Sequence, residues 1–395
     1  MRFAWPTFGR MIGGLYFGPA GWQPQGWSDR PALTAAPGDV LTTASAPAHG
    51  PLPQAKPTEQ VSQALGSQAQ RRPLLAELGQ HGIVQFSPWT PALPQQLALL
   101  GGRTADAMVV NMVPHQPESA LPDFLTRQEL VPMLVALEGL ALALKPRRVL
   151  IAVDRHDHAT ARAWAAAARG KPWKVIRLIN KYPLAHPRVL LHRLGINNSD
   201  ISESPAARGR LLVDPVTCWA IGHLLAGEKH ITHRPVQVFV QGREPQMLLL
   251  RIGEPVAALM EQFGEALSAV ECIANGMLAG KRLNPATDCI EASTEMLSFR
   301  SAPLTENTTD CIRCSWCVHA CPTGLNPAAL LAAAQVKATM PVVNPTEAFG
   351  CIGCGLCSYV CPCRLPLSQT IVQMSQQIIM PTPVARLATT GGGGA

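Results

Sequence analysis

From residue 107 onward, short apolar runs alternate with longer amphipathic ones, the pattern expected of strands and helices layered together. Ala107 to Asn111 (AMVVN), Arg148 to Val153 and Lys174 to Ile179 are apolar runs of strand length, and Leu211 to Val213 is a shorter one. Between them, Thr126 to Leu144 sets Leu130, Met133, Leu134, Leu137 and Leu140 to Leu142 on one helical face. His158 to Ala168 reads as an alanine-rich helix and Pro187 to Leu194 as a short one. Pro215 to Leu225 opens with proline in its first turn, where the missing N–H is not needed. Short strands with helices between them predict a Rossmann-like layered domain.

The period changes near Thr232. Val236 to Val240 and Met247 to Arg251 alternate as strands about a turn at Gly242-Arg243-Glu244, and Gly253-Glu254-Pro255 leads into a helix from Val256 to Phe263. Strand, turn, strand and helix predict a small β-grasp (SLBB-like) unit. The stretch 265–300 reads as a glycine-containing connector. Pro327 to Ala338 (PAALLAAAQVKA) is a predicted helix, and Pro73 to Gly79 a short one. Upstream, residues rich in Pro, Gly, Ala and Gln carry no clear period. The whole reads as a multidomain α/β chain: an irregular region at 1–75, a Rossmann-like domain at 76–231, the β-grasp-like unit and connector at 232–300, a C-terminal α-helical cysteine-rich domain at 301–370, and a tail at 371–395.

The strongest chemical signal is that cysteine-rich domain. Cys311-x2-Cys314-x2-Cys317-x3-Cys321-Pro322 is followed by Cys351-x2-Cys354-x2-Cys357-x3-Cys361-Pro362. Each is the run that binds a [4Fe–4S] cluster: three thiolates spaced by three wrap one face of a cubane, and in two-cluster ferredoxins the fourth ligates the other cluster. The expected sets are therefore Cys311, Cys314, Cys317 and Cys361 for one cluster, and Cys351, Cys354, Cys357 and Cys321 for the other. Zinc would favour two cysteine pairs or a Cys/His mixture, and disulfides suit short secreted chains. Gly353 and Gly355 let backbone N–H groups approach sulfur. Trp316 either shields its cluster from water or packs. Cys363, two residues past Cys361, is placed to substitute as a ligand, although the regular spacing favours Cys361. The helix at 327–338 between the runs points to a helical ferredoxin module.

Composition narrows the partners. Of 395 residues, 47% are apolar and 15% charged, which gives a sparingly charged surface suited to burial in a complex or against a membrane. The formal net charge of +7 excludes the thiolates and suits an acidic partner or an anionic membrane face. Scattered basic residues and 5% aromatics argue against nucleic acid. No apolar stretch reaches the roughly 18 residues of a membrane span. Met1 to Trp22 lacks a continuous apolar core and a twin arginine, so no export is expected. The expected location is cytoplasmic, with a peripheral place on the inner face of the cell membrane allowed. Asp154, His156, Asp157 and His158 are metal-coloured but read as a polar loop and helix cap. His230 and His233 read as surface or core histidines. Cys218, Cys272 and Cys289 read as buried free thiols, and Lys181-Tyr182-Pro183 as a structural turn. No motif supports a hydrolytic or cysteine-nucleophile site.

Beyond the cysteines, Cys321-Pro-Thr-Gly-Leu-Asn-Pro327, Lys181-Tyr182-Pro183, Leu249-Leu-Arg-Ile-Gly-Glu-Pro-Val256, Gly276-Met-Leu-Ala-Gly280 and Ser293-Thr294 stand in one order. In these motifs the chain resembles the RnfC family of Rnf-type electron-transport complexes, over roughly residues 74 to 370. The resemblance implies a Rossmann-like domain similar to the flavin subunit of respiratory complex I, a β-grasp domain, two [4Fe–4S] clusters, and membrane partners that pass the electrons on. The sequence departs from the family where flavin would sit. The family's Gly-Gly-Ala-Gly-Phe-Pro-Thr loop is matched by Val84-Gln-Phe-Ser-Pro-Trp-Thr90, with bulky Phe86 and Trp89 and the N–H-less Pro88. The family's Asn-Gly-Ala-Glu-Cys-Glu-Pro-Tyr is matched by Asn111-Met-Val-Pro-His-Gln-Pro-Glu118, and Leu184-Ala-His-Pro187 stands in place of Gln-Gly-Gly-Glu. These changes predict a degenerate flavin and NADH site with no FMN and no dehydrogenase activity of its own. The expected function is an iron–sulfur electron-transfer subunit that relays electrons between redox partner proteins in a membrane-associated oxidoreductase complex. The alternatives are an FMN-dependent NADH dehydrogenase or corrinoid reductase subunit, and a non-redox scaffold or iron–sulfur sensor.

Overall fold

A computed structural model describes residues 78, 81–196, 204–226, 230–264, 270–301, 308–335 and 343–377. The regions expected at 1–75 and at 73–79 lie outside these residues, apart from Leu78. The chain divides into two compact units, Met1–Pro303 and Leu304–Ala395.

Among the described residues, the first unit begins its regular structure with helix α1 (Leu93–Leu100) and strand β1 (Ala107–Met112). Every residue of β1 is buried, because parallel strands β2 (Val149–Asp154) and β4 (Arg210–Val213) flank it and both faces are covered. Strand β3 (Trp173–Leu178) completes a parallel sheet of order β3-β2-β1-β4. Alternate side chains serve different cores. Met108, Val110, Met112, Ile151 and Val153 pack with Phe124, Met133, Trp164 and Val216. Ala107, Val109, Val113, Leu150 and Ala152 face Leu184, Leu190 and Leu191 on the other side.

The helix expected over 126–144 is two helices, α2 (Leu121–Gln128) and α3 (Leu130–Leu144). Pro132 accounts for the break. A continuous helix would press its ring against the carbonyl of Gln128, whereas in the first turn of a new helix the missing N–H is harmless. Glu129 sits at the junction with φ −127°. Helix α4 (His158–Ala167) is capped by Asp157, whose carboxylate accepts from Thr160 N at 2.9 Å. Helices α5 (Pro187–Arg193) and α6 (Pro215–Leu225) follow, and the Asp214 carboxylate caps α6 through Thr217 N at 2.9 Å.

A five-stranded mixed sheet completes this unit, in the order β6-β5-β9-β7-β8. Strands β5 (His233–Val240) and β6 (Gln246–Arg251) pair antiparallel, and β5 runs parallel to β9 (Met296–Ser301). Helix α7 (Val256–Gln262) covers one face through Val256, Leu259 and Met260 against Val236, Val238, Leu248 and Phe299. This is the β-grasp arrangement. The expected connector at 265–300 is therefore corrected: it supplies β7 (Val270–Ala274), β8 (Lys281–Leu283) and β9. The glycines that made it look like a loop form the turn between β7 and β8. Gly276 has φ 86°, and a Cβ on Gly280 would lie 2.0 Å from the Gly276 carbonyl oxygen.

The second unit contains α8 (Trp316–Ala320), α9 (Pro327–Gln335), α10 (Leu356–Tyr359) and α11 (Leu367–Gln377). Helix α11 runs across the boundary where a tail was expected from 371. Its Ile371 and Met374 pack with Leu330 of α9 and Ala348.

Candidate metal centre

The two cysteine runs fold alike. In each, the chain passes the second cysteine in a left-handed backbone and then starts a short helix. Arg313 and Ser315 have φ 56° and 62°, and Gly353 and Gly355 at the matching places have φ 64° and 78°. Ser315 and Gly355 are the residues that cap α8 and α10. After the fourth cysteine each run closes a turn. Gly324 N donates to the Cys321 carbonyl at 3.2 Å, and Arg364 N to the Cys361 carbonyl at 3.1 Å.

These turns bring the runs together crosswise. A cavity of about 670 Å³ is lined by Cys311, Cys314 and Cys317 and also by Cys361 and Cys363. A narrower one is lined by Cys351, Cys354 and Cys357 together with Cys321. Cys317, Cys354, Cys357 and Cys363 are buried, while Cys311 and Cys314 are exposed. Burial pushes the Cys354 and Cys357 thiols up to about 12 and raises Cys317 as well. Such thiols ionise when a metal takes the place of the proton. Backbone N–H groups already point at sulfur: Leu325 N reaches Cys321 Sγ at 3.3 Å, and Gly353 N reaches Cys351 Sγ at 3.4 Å. Soft thiols ringing a cavity, with N–H donors aimed at them, form a donor set that suits iron–sulfur chemistry. Among the described residues, no three His, Cys, Asp or Glu side chains close on a point that suits a single metal ion. Trp316 opens α8 and is 49% exposed.

Residues 310–366 match the family model described as a 4Fe-4S dicluster domain. The chain is also 29% identical to the C subunit of the ion-translocating oxidoreductase complex of Pectobacterium carotovorum, over 64% of this chain and 35% of the relative. The protein of the same name from Rhodobacter capsulatus is 24% identical over 64% of this chain and 50% of its own length. The chain is a divergent relative of these proteins. It carries a 4Fe–4S dicluster domain. It spans about a third to a half of the length of the relatives it matches. Among solved structures, a chain of an NAD+-reducing [NiFe]-hydrogenase in the H2-reduced state matches with a TM-score of 0.51 at 12% identity, over 79% of this chain and 59% of the other. That likeness concerns the fold.

The crevice at the carboxyl end of β1 and β4, the switch point of the sheet, is where α/β folds receive ligands. Trp89 stands between two cavities here, one of about 470 Å³ with Pro88 and Gln116, and one of about 250 Å³ with Gln96, His186 and Leu212. Phe86, Ser87 and Thr90 are buried, as are His115 and Asp214. Trp89 stacks edge-on against His115 and His186, with ring centroids 5.7 and 5.4 Å away, and lies 5.9 Å from Tyr182. Asn111 Nδ2 donates to the Ala185 carbonyl at 2.9 Å. The fully buried Arg234 holds the carbonyls of Phe86 and Ala292. Burial lowers its pKa to about 10, which leaves it charged at neutral pH.

A buried relay that no sequence motif marks runs from Ser87 Oγ to His115 Nε2 at 3.2 Å and from His115 Nδ1 to the Glu295 carboxylate at 2.9 Å. No spacing links the three residues; the fold alone brings them together. Of the other flagged residues, Asp157 is a helix cap, and His158 Nδ1 lies 3.0 Å from an Arg177 guanidinium nitrogen. His230 lies 5.7 Å from His81, ring to ring. Cys218 and Cys272 are buried in two different cores of the first unit. Cys289, expected to be buried, is exposed. No helix among the described residues is long and apolar enough to cross a membrane.

Proposed function

We propose that the chain is an iron–sulfur electron-transfer subunit that works within a membrane-associated, ion-translocating oxidoreductase complex. Two [4Fe–4S] clusters carry the electrons, one held by Cys311, Cys314, Cys317 and Cys361, the other by Cys351, Cys354, Cys357 and Cys321. The observation that carries this reading is the crosswise lining of the two cavities, in which the fourth cysteine of each run joins the first three of the other. Ligands shared in this way hold two clusters close enough for electrons to pass between them. The chain's own groups set the potential: the N–H donors on Cys321 and Cys351, and the apolar packing of Leu331 and Leu367 against Cys317 and Cys357. Partner proteins at the inner face of the membrane supply and remove the electrons.

FMN has no part in this reading. The loop Val84–Thr90 carries bulky Phe86 and Trp89 and the N–H-less Pro88 where a nucleotide phosphate would need glycine backbone. The test is an anaerobic titration of cluster-loaded protein, with excess flavin supplied and the broad visible absorption followed. Dithionite is expected to bleach it and NADH to leave it unchanged. Bleaching by NADH would mean that the crevice admits a nucleotide despite its changed loop and that this is a dehydrogenase subunit.

A further inference from the structure

The cavity that holds Cys311, Cys314, Cys317 and Cys361 has a fifth thiol. Cys363 is 5% exposed and lines the same wall. Its position follows from the turn it occupies. In the first run the matching turn is Cys321-Pro322-Thr323-Gly324, and there Thr323 Oγ1 lies 3.4 Å from Cys321 Sγ. In that run the turn sets the γ oxygen of its third residue beside the sulfur of its first. The second turn, Cys361-Pro362-Cys363-Arg364, repeats the same closing hydrogen bond, and Arg364 takes the left-handed φ of 54° where Gly324 has 72°. Its third residue carries sulfur instead of oxygen. Thr309 N, donating to the Cys363 carbonyl at 3.2 Å, ties this turn to the chain just before the first run. Both third residues line a cysteine cavity, Thr323 exposed at the rim of the second and Cys363 buried in the first.

We propose that Cys363 is a reserve ligand, able to take over from Cys361 the iron position that Cys361 occupies. This rests on the iron–sulfur reading above. Thiolate bonds to iron exchange with neighbouring thiols, and two thiols on one tight turn exchange with little backbone movement. In the exchange, Cys363 gives up its thiol proton and bonds to iron. The bond from iron to Cys361 breaks, and the Cys361 thiolate takes a proton. No electron is moved. Cys311 and Cys314 on the same cavity are exposed, so this is the side that oxidants and chelators reach first. A second thiol beside the outgoing one favours rebinding over loss of iron. The other cavity has no such reserve: Thr323 occupies the corresponding place beside Cys321.

The experiment measures iron and acid-labile sulfide per chain, and the low-temperature electron paramagnetic resonance of the dithionite-reduced protein, in anaerobically reconstituted full-length variants. Alanine is used because a serine oxygen can itself ligate iron. Cys361→Ala is expected to keep the full iron content with an altered resonance signal, and Cys363→Ala to match the parent. The Cys361→Ala/Cys363→Ala double variant is expected to lose one cluster, about half of the iron. Cys321→Ala, which has no reserve thiol, is expected to lose its cluster as a single variant. The inference is overturned if Cys361→Ala alone loses as much iron as the double variant, or if Cys363→Ala alone loses a cluster. Should Cys361→Ala fail to fold, the release of iron from Cys363→Ala to a chelator in air decides. Release severalfold faster than from the parent is expected, and an equal rate sinks the idea. A parent chain that takes up no iron overturns the iron–sulfur reading and this inference with it, an outcome distinct from loss confined to Cys361→Ala.

Discussion

His115 and Glu295 are both buried, paired at 2.8 Å, and set apart from water by Trp89 and Ser87. Burial pushes the imidazole pKa down, but the charge and hydrogen bond of Glu295, with a smaller contribution from Asp214, more than offset it and hold the ring above its ordinary 6.5. A group whose folded-state pKa is raised stabilises fully below its unfolded value, and that contribution fades as pH rises through the folded value. The midpoint of thermal unfolding, followed by the fluorescence of Trp164 and Trp219, is therefore expected to contain a component that falls as pH rises above 6.5. Its slope is at most about 1.4 kcal/mol per pH unit. In Glu295→Gln burial is left as the main influence on the ring, and the slope of this component should change sign, with stability lost as pH falls below 6.5. An unchanged pH profile in that variant would mean that the pair does not govern the titration. Nothing in the sequence marks His115 or Glu295, because long-range pairing of single charged residues leaves no local period. The cysteines were legible because their chemistry demands fixed short spacing.

At the scale of elements, strands and helices of ordinary length could be read from their periods. Strands β1 to β4 and helices α4 to α6 fall where apolar runs and caps placed them, since both faces of a parallel sheet must be apolar. What was missed follows from competing signals. Pro132 splits a continuous apolar face into α2 and α3. In 265–300, glycines needed for a tight turn hide strands β7 and β8, which are only five and three residues long. Helix α11 carries Leu367, Ile371 and Met374 one turn apart, a pattern obscured by the polar LSQTIVQMSQQ around it. The packing of α3 on α6 depends on one small residue. A Cβ on Gly222 would lie 2.2 Å from the carbonyl oxygen of Pro132, backbone that cannot rotate away. Gly222→Ala is expected to destabilise the first unit by about 3 kcal/mol, the upper end for overpacking, seen as a lower urea midpoint. A loss below roughly 0.5 kcal/mol would show that the two helices separate freely.

For the molecule as a whole, stability is divided. The first unit buries two cores on its parallel sheet and a third in the mixed sheet. The second relies on small clusters, such as Cys317, Leu331, Cys357 and Leu367, in which cysteines themselves take part. Cores of that size rarely hold a fold without a metal or a cross-link. Removing iron with a chelator under oxidising conditions is expected to expose the chain beyond residue 308 to protease, while a fragment containing residues 81–301 survives. Survival of both units would mean that the cysteines contribute little to folding. With the proposed ligand sets, the crosswise cavities also impose an order in time. A ribosome delivers Cys311, Cys314 and Cys317 long before Cys361, the last member of their group. The earlier set must wait, as open thiols, for the later run to be made. The second group, which borrows Cys321, is complete once Cys357 appears. The run translated first is thus the last to be filled, and a chain cut short between Cys357 and Cys361 would leave it without its fourth thiol.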